Sequence, residues 1–136
     1  MRSTAAIKAD TPFRGIALAS TSGHARSAGR RAERNVELCE CMIDIAAALF
    51  NVSSKELRQP GRTSLSVARV RQIAMYVAHV VLRLSMNEVG RGFGRDRTTV
   101  LHACHLIEDM RDDAEFDEIV ALTERVAGAA LLQSGA

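Results

Sequence analysis

The stretch GRDRTTVLHACH, Gly94 to His105, gathers side chains that suit nucleic-acid reading. Arg97 carries a planar fork of donors that matches the O6 and N7 acceptors of guanine. Thr98 and Thr99 offer methyls to a thymine methyl and hydroxyls to a base edge or a phosphate. Asp96 can accept from cytosine N4. It is also a good helix N-cap, because its carboxylate accepts from the orphan amides at Thr98 or Thr99 and favours the positive helix end. His102, one turn along, can reach a phosphate, and the helix start itself attracts one. A second chemistry competes for the same residues. His102 and His105 stand at i,i+3 with Cys104 between them, a spacing from which two imidazoles can share a metal. Cys104 falls on the apolar stripe, however, and a catalytic zinc needs a third ligand and an open position. No catalytic residue, metal or other cofactor is therefore expected. RNA binding is disfavoured, since the only aromatics are Phe13, Phe50, Tyr76, Phe93 and Phe116, too scattered for a stacking platform.

These groups need a scaffold, and the apolar periodicity supplies one. Val36, Cys39, Ile43, Ala46, Leu49 and Phe50 recur at helical spacing and predict a helix over 34–50. Ser53 or Ser54 with Glu56 behind it starts a short helix through Leu57, which Pro60–Gly61 stops. Residues 58–64 form a loop with Arg58 and Arg62. A long helix follows over about 65–83, its core stripe being Val67, Val70, Ile73, Ala74, Val77, Val80, Val81 and Leu84. Arg69, Arg71, Gln72 and His79 lie largely off that stripe. Ser85 with Glu88 three residues on is a capping box, opening a helix over 86–92 that turns Val89 and Phe93 inward. Gly94 breaks it. Helix 97–112 then buries Val100, Leu101, Cys104, Ile107 and Met110, and leaves Arg97, Thr98, His102 and His105 outside. A last helix, 115–132, is apolar at Ile119, Leu122, Val126 and Leu131. The short helix, the glycine turn and the donor-rich second helix make a helix-turn-helix pattern, in which the start of the second helix meets base edges in the major groove.

Composition agrees. Apolar residues are 47% of the 136-residue chain and aromatics 4%, which favours packed helices over a β-sandwich. No apolar run approaches the ~20 residues that span a bilayer, so no membrane association is expected. The net charge of +2 conceals blocks of opposite sign. Residues 1–34 hold seven Lys/Arg against two acids and residues 58–97 eight against two, whereas residues 98–136 hold two against eight. A basic central block on an acidic domain is what a polyanion-binding face looks like. Residues 1–33, rich in Ser, Thr, Ala, Gly and Arg, read as a flexible basic tail ahead of a helical domain over 34–133. Transit peptides share that composition, but nothing else in the chain points to an organelle. Three cysteines, Cys39, Cys41 and Cys104, in neither a CxxC nor a disulfide framework, suit a reducing cytoplasm.

The stretch SVARVRQIAMYVAHVVLRLSMNEVGRGFGRDRTTVLHAC, residues 66–104, resembles the C-terminal DNA-binding domain (domain IV) of the bacterial chromosomal replication initiator DnaA. That family shows a GGRDHTTVLHA-like signature after a VARPRQIAMYL-like helix and an SLPEIG-like one, and similarity extends over roughly residues 34–131. The resemblance implies an all-α fold: a compact multi-helix domain with a TrpR-like helix-turn-helix. It implies a double-stranded DNA partner at short sites called DnaA boxes. By resemblance, Asp96, Arg97, Thr98 and Thr99 read the major groove, and Met86 and Asn87 stand near thymine methyls. Arg71, Gln72, His79 and His102 fall on phosphate-contact positions, and the loop from Pro60 to Ser64, with Arg62 and Thr63, reaches the minor groove.

The chain departs from the family pattern at the reading head. Arg97 replaces the usual histidine and Asn87 a proline. One glycine of the pair before Arg95 is missing, which is expected to tighten the turn and rotate the recognition helix. Thr63 and Leu65 stand where the family has more arginine. No GxxxxGK[ST] phosphate loop occurs, so no nucleotide cofactor or ATPase activity is expected. The expected role is that of a stand-alone relative that occupies DNA in the cytoplasm, at the nucleoid, and regulates replication initiation or transcription. The alternative is a protein-interaction adaptor on the same fold, with the initiator or a second copy as partner.

Overall fold

The computed structural model describes residues 15–132, with side chains from Ser27 onward. Six α-helices follow one another: α1 (Gly15–Phe50), α2 (Ser54–Arg58), α3 (Leu65–Val80), α4 (Met86–Phe93), α5 (Arg97–Met110) and α6 (Ala114–Ala127), with a closing π-helical turn at Gly128–Leu132. Among the described residues there is no strand. None of these helices is long and apolar enough to cross a membrane. The chain divides into two compact units, residues 1–34 and 35–136.

In the first unit, α1 begins at Gly15, upstream of the expected start at Arg34. Part of the segment expected as a flexible tail is therefore helical, while residues 1–14 lie outside the described residues. Ala17, Ala19, Ala25, Ala28 and Ala32, with Arg26, Arg30 and Arg31, have high intrinsic helix propensity, and no proline interrupts them. Ser27 to Arg31 are exposed, so propensity rather than burial accounts for helix there.

The second unit holds the core. Cys39, Met42, Ile43 and Ala46 of α1 recur at i, i+3, i+4 and i+7 and are buried. Leu57 anchors α2. α3 is the central element, buried continuously from Ile73 to Ala78 and packed against α2, α4, α5 and α6. Val89 and Phe93 of α4 and Val100, Ala103, Cys104 and Ile107 of α5 complete the core from the helix-turn-helix side. Leu101 and Met110, expected inside, are only half-buried.

Two expected stripes shift. α3 stops at Val80, because Arg83 takes the left-handed φ of 62° and the Leu84 amide donates back to the Ala78 carbonyl (3.3 Å). Val80 is accordingly 45% exposed. On α6 the buried face is Val120, Thr123 and Ala127, whereas Ile119 and Leu122 are 43% and 45% exposed. That helix carries two apolar stripes, and the one containing Phe116 is the one packed on the core. Thr123 tolerates burial because its hydroxyl donates to the Ile119 carbonyl (2.9 Å).

A polar clamp joins α3, α5 and α6. Arg111 Nε donates to Asp117 (2.6 Å), while Nη1 donates to Glu124 (2.9 Å) and to the Tyr76 hydroxyl (3.2 Å). Tyr76 in turn donates to Glu108 (2.8 Å). The Glu124 carboxylate, then Asp117 and Tyr76, hold the Arg111 guanidinium charged against the opposing effect of burial.

Candidate nucleic-acid interface

α4 begins where Ser85 Oγ accepts from the Glu88 amide (3.1 Å) and Glu88 Oε1 accepts from the Ser85 amide (2.8 Å), the full capping box. Glu88 Oε2 also accepts from Asn35 Nδ2 (2.9 Å), so the cap of α4 is tied to α1. Sequence reading missed Asn35, because a contact across 53 positions leaves no local signal.

The turn from α4 to α5 has three residues, Gly94, Arg95 and Asp96. Gly94 closes α4 with φ 68°, a conformation glycine adopts without a Cβ penalty. The Arg95 amide donates to the Gly90 carbonyl (2.8 Å). A Cβ on Gly90 would lie 2.6 Å from the Arg95 carbonyl oxygen, so the turn folds against α4 only because position 90 has no side chain. Asp96 then caps α5, its Oδ1 accepting from the Thr99 amide (2.8 Å). That bond, then the Thr99 hydroxyl, and more weakly the charge of His102 hold the Asp96 carboxyl below its ordinary range.

Beyond the cap, Arg97, Thr98, Thr99 and His102 are exposed on the first two turns of α5, and His105 is exposed on the third. Of these, Thr99 and His102 line one recess, and Arg97 and Thr98 stand before them on the same helix. The recess, of about 210 Å³, lies between α3 and α5. Arg71, Gln72, Arg95, Thr99 and His102 supply its polar lining, and Met75 and Leu106 are among its apolar residues. Gln72 Oε1 accepts from Arg69 (2.8 Å), which leaves the Gln72 amide hydrogens as donors.

Other predicted site residues sit differently. Arg71, expected off the core stripe, is only 7% exposed. Its Nε donates to the Leu57 carbonyl (2.9 Å), and Nη2 donates to the Glu56 carbonyl (3.1 Å) and to Thr63 Oγ1 (3.4 Å). At the C-terminus of α2 the Leu57 carbonyl and the Glu56 carbonyl, which also accepts from the Gln59 amide, face the guanidinium, whose positive charge suits that helix end. Thr63, assigned to the minor-groove loop by resemblance, thus faces Arg71, while Arg62 is exposed. His79 Nδ1 lies 2.8 Å from the Leu84 carbonyl, and that acceptor assigns the hydrogen to Nδ1. His79 braces the approach to the Ser85 cap and does not line the recess. Met86 packs on the core, and Asn87 beside it is exposed. Among the described residues no group of three or more His, Cys, Asp or Glu is placed to hold a metal. Burial, reinforced by Glu108, pushes the Cys104 thiol up to about 11, the opposite of an activated nucleophile.

Residues 39–107, half of the chain, match the family described as "Bacterial dnaA protein helix-turn-helix". A chromosomal replication initiator protein DnaA from Mycobacteroides abscessus is 39% identical over 87 residues, covering 62% of this chain and 18% of that protein. The chain thus spans about a fifth of the length of that curated relative. The fold is similar to a crystal structure of a DNA replication initiation factor (TM-score 0.71, 25% identity), over 85% of this chain and 35% of that one. It is also similar to the AMPPCP-bound DnaA from Aquifex aeolicus (TM-score 0.65, 24% identity), over 86% of this chain and 35% of that one.

Proposed function

The chain belongs to the bacterial DnaA helix-turn-helix family, and from that membership we propose that it binds double-stranded DNA with the first turn of α5 in the major groove. One observation carries the reading: four exposed hydrogen-bonding side chains, Arg97, Thr98, Thr99 and His102, stand together at the start of a capped helix. Arg97 pairs with a guanine edge, and the threonines read an adjacent thymine methyl or a phosphate. Gln72, His102 and Arg71 line the recess, which takes a backbone phosphate between α3 and α5. Arg62 at the exposed loop enters the neighbouring minor groove. The protein acts in regulating replication initiation or transcription, at the nucleoid in the cytoplasm, and uses no nucleotide cofactor or catalytic group.

The test is a binding titration on two duplexes, one with a DnaA box and one scrambled, at two salt concentrations. A box preference that survives added salt supports competition with the initiator for its sites. Equal, salt-sensitive binding to both duplexes shows that box specificity has been lost, and absence of binding to either refutes the reading. A second reading, an adaptor for the initiator or a second copy, draws on the outward-facing Ile119 and Leu122 of the acidic helix α6. Co-sedimentation with the purified initiator in the absence of DNA distinguishes it.

A further inference from the structure

Arg95 is half-buried at the edge of the recess, and its side chain also reaches beyond the GRDRTT stretch. Nη2 donates to the Gln59 carbonyl (2.7 Å), 36 residues away at the C-cap of α2. Gln59 is well placed to receive it. Its own amide is directed back to the Lys55 and Glu56 carbonyls, which holds Gln59 against the end of α2. Extended backbone at Gln59 (φ −66°, ψ 137°), which the proline favours, turns that carbonyl out of the helix. At the other end of the loop, Thr63 accepts from Arg71. The loop is thus held at Gln59 and at Thr63, and Pro60, Gly61 and Arg62 form the tip between. Gly61 has φ 83°, which gives that tip its sharp reversal. The backbone of Arg95 is itself fixed by the Gly90 carbonyl. One residue therefore links the turn that aims α5 to the loop that carries Arg62.

We propose that Arg95 is a positioning residue: through the Gln59 carbonyl it sets the place of Arg62 relative to the α5 reading head, so that the two grooves are read in one register. The assignment rests on the DNA-binding reading for its consequence, but the positioning itself is a property of the free protein. A guanidinium at this site acts through the loop and not through its charge on DNA.

The test compares wild type, Arg95→Ala, Arg95→Lys, Arg62→Ala and the Arg62→Ala/Arg95→Ala pair. The DNA is the duplex that wild type selects from a random pool. Replacing adenine by 2,6-diaminopurine adds a minor-groove amino group and leaves the major-groove edge unchanged. Wild type is expected to lose affinity about tenfold when diaminopurine stands under the Arg62 loop, a discrimination of the size one base contact gives. Arg62→Ala and Arg95→Ala should both lose that discrimination, and the double variant should bind no more weakly than the weaker single one. Arg95→Lys, which keeps a donor, should restore part of it. Full diaminopurine discrimination in Arg95→Ala, with losses that add to those of Arg62→Ala, overturns the proposal, as a role confined to phosphate charge would give. A DNA-free arm separates this proposal from the function it rests on. Trypsin should cleave after Arg62 several-fold faster in Arg95→Ala than in wild type, at a temperature where both are folded by circular dichroism. An unchanged cleavage rate overturns the positioning role even if DNA binding stands. Faster cleavage in a protein that binds no duplex would leave the positioning intact and refute only the DNA reading.

Discussion

At the scale of single residues, two arginines that look alike in the sequence have separate duties. Arg97 is exposed and has its whole fork available, so Arg97→Ala should cost ~1–3 kcal/mol on the preferred duplex and little on a scrambled one. Equal losses on both duplexes, measured by titration at fixed salt, would show that it contacts only phosphate. Arg71 supports the loop and α2 from inside. Arg71→Ala leaves the Leu57 and Glu56 carbonyls without their charged donor, and should lower unfolding free energy by about 2 kcal/mol in a denaturant titration, besides weakening all duplexes alike. A variant with unchanged stability would mean that water replaces the guanidinium at no cost. The difference between these arginines was not visible in spacing. Arg71 lies off the apolar stripe by periodicity, and only the arrival of the α2 carbonyls over it makes its position an interior one.

At the scale of elements, the caps were the most legible part of the chain. Ser53, Ser64, Ser85, Asp96 and Asp113 all cap helices, each accepting amides of the following turn. Ser53, Ser85 and Asp96 announce themselves in the sequence, because capping chemistry is local. Ser85→Ala should cost ~1 kcal/mol of stability, read from the denaturation midpoint. Helix faces were harder. α6 presents two apolar stripes and periodicity alone does not choose between them; the choice is made by α3, which takes Val120, Thr123 and Ala127. Gly94 reads as a helix breaker, but the need for glycine at position 90 does not, since it arises only from the way the turn folds back on the last turn of α4. Gly90→Ala should lower the melting temperature and abolish duplex preference together, because the turn must shift and α5 with it. Preserved preference at a lowered melting temperature would show that α5 keeps its aim when the turn moves.

At the scale of the molecule, burial and charge set the pH range in which the second unit is stable. Burial, with Glu88 and Glu40 nearby, pushes the Cys39 thiol from 9.0 up to about 12, and Cys104 is raised to about 11. A raised pKa means that the folded state holds its proton more tightly. The stability linked to these thiols is fully present below about pH 9 and is lost as pH rises from there towards 11–12. The urea midpoint should therefore fall from pH 8 to pH 10.5, and Cys39→Ala should show a smaller fall. An unchanged difference in that variant would place the alkaline loss elsewhere. All-helical architecture and helix order could be read from the sequence, because each follows from periodicity and stop signals. The length of α1 could not, since its first turns draw on propensity in a segment whose composition reads as tail.

The contact between Gly90 and the turn also constrains how this protein can change over generations. The space a side chain would need at position 90 is filled by the Arg95 carbonyl, so no single substitution there is tolerated while the turn keeps three residues. A lineage that lengthens the turn first frees position 90 to vary, whereas one that varies position 90 first loses the aim of its recognition helix. The order of mutations, and not only their number, therefore decides which DNA sites descendants of this chain can come to read.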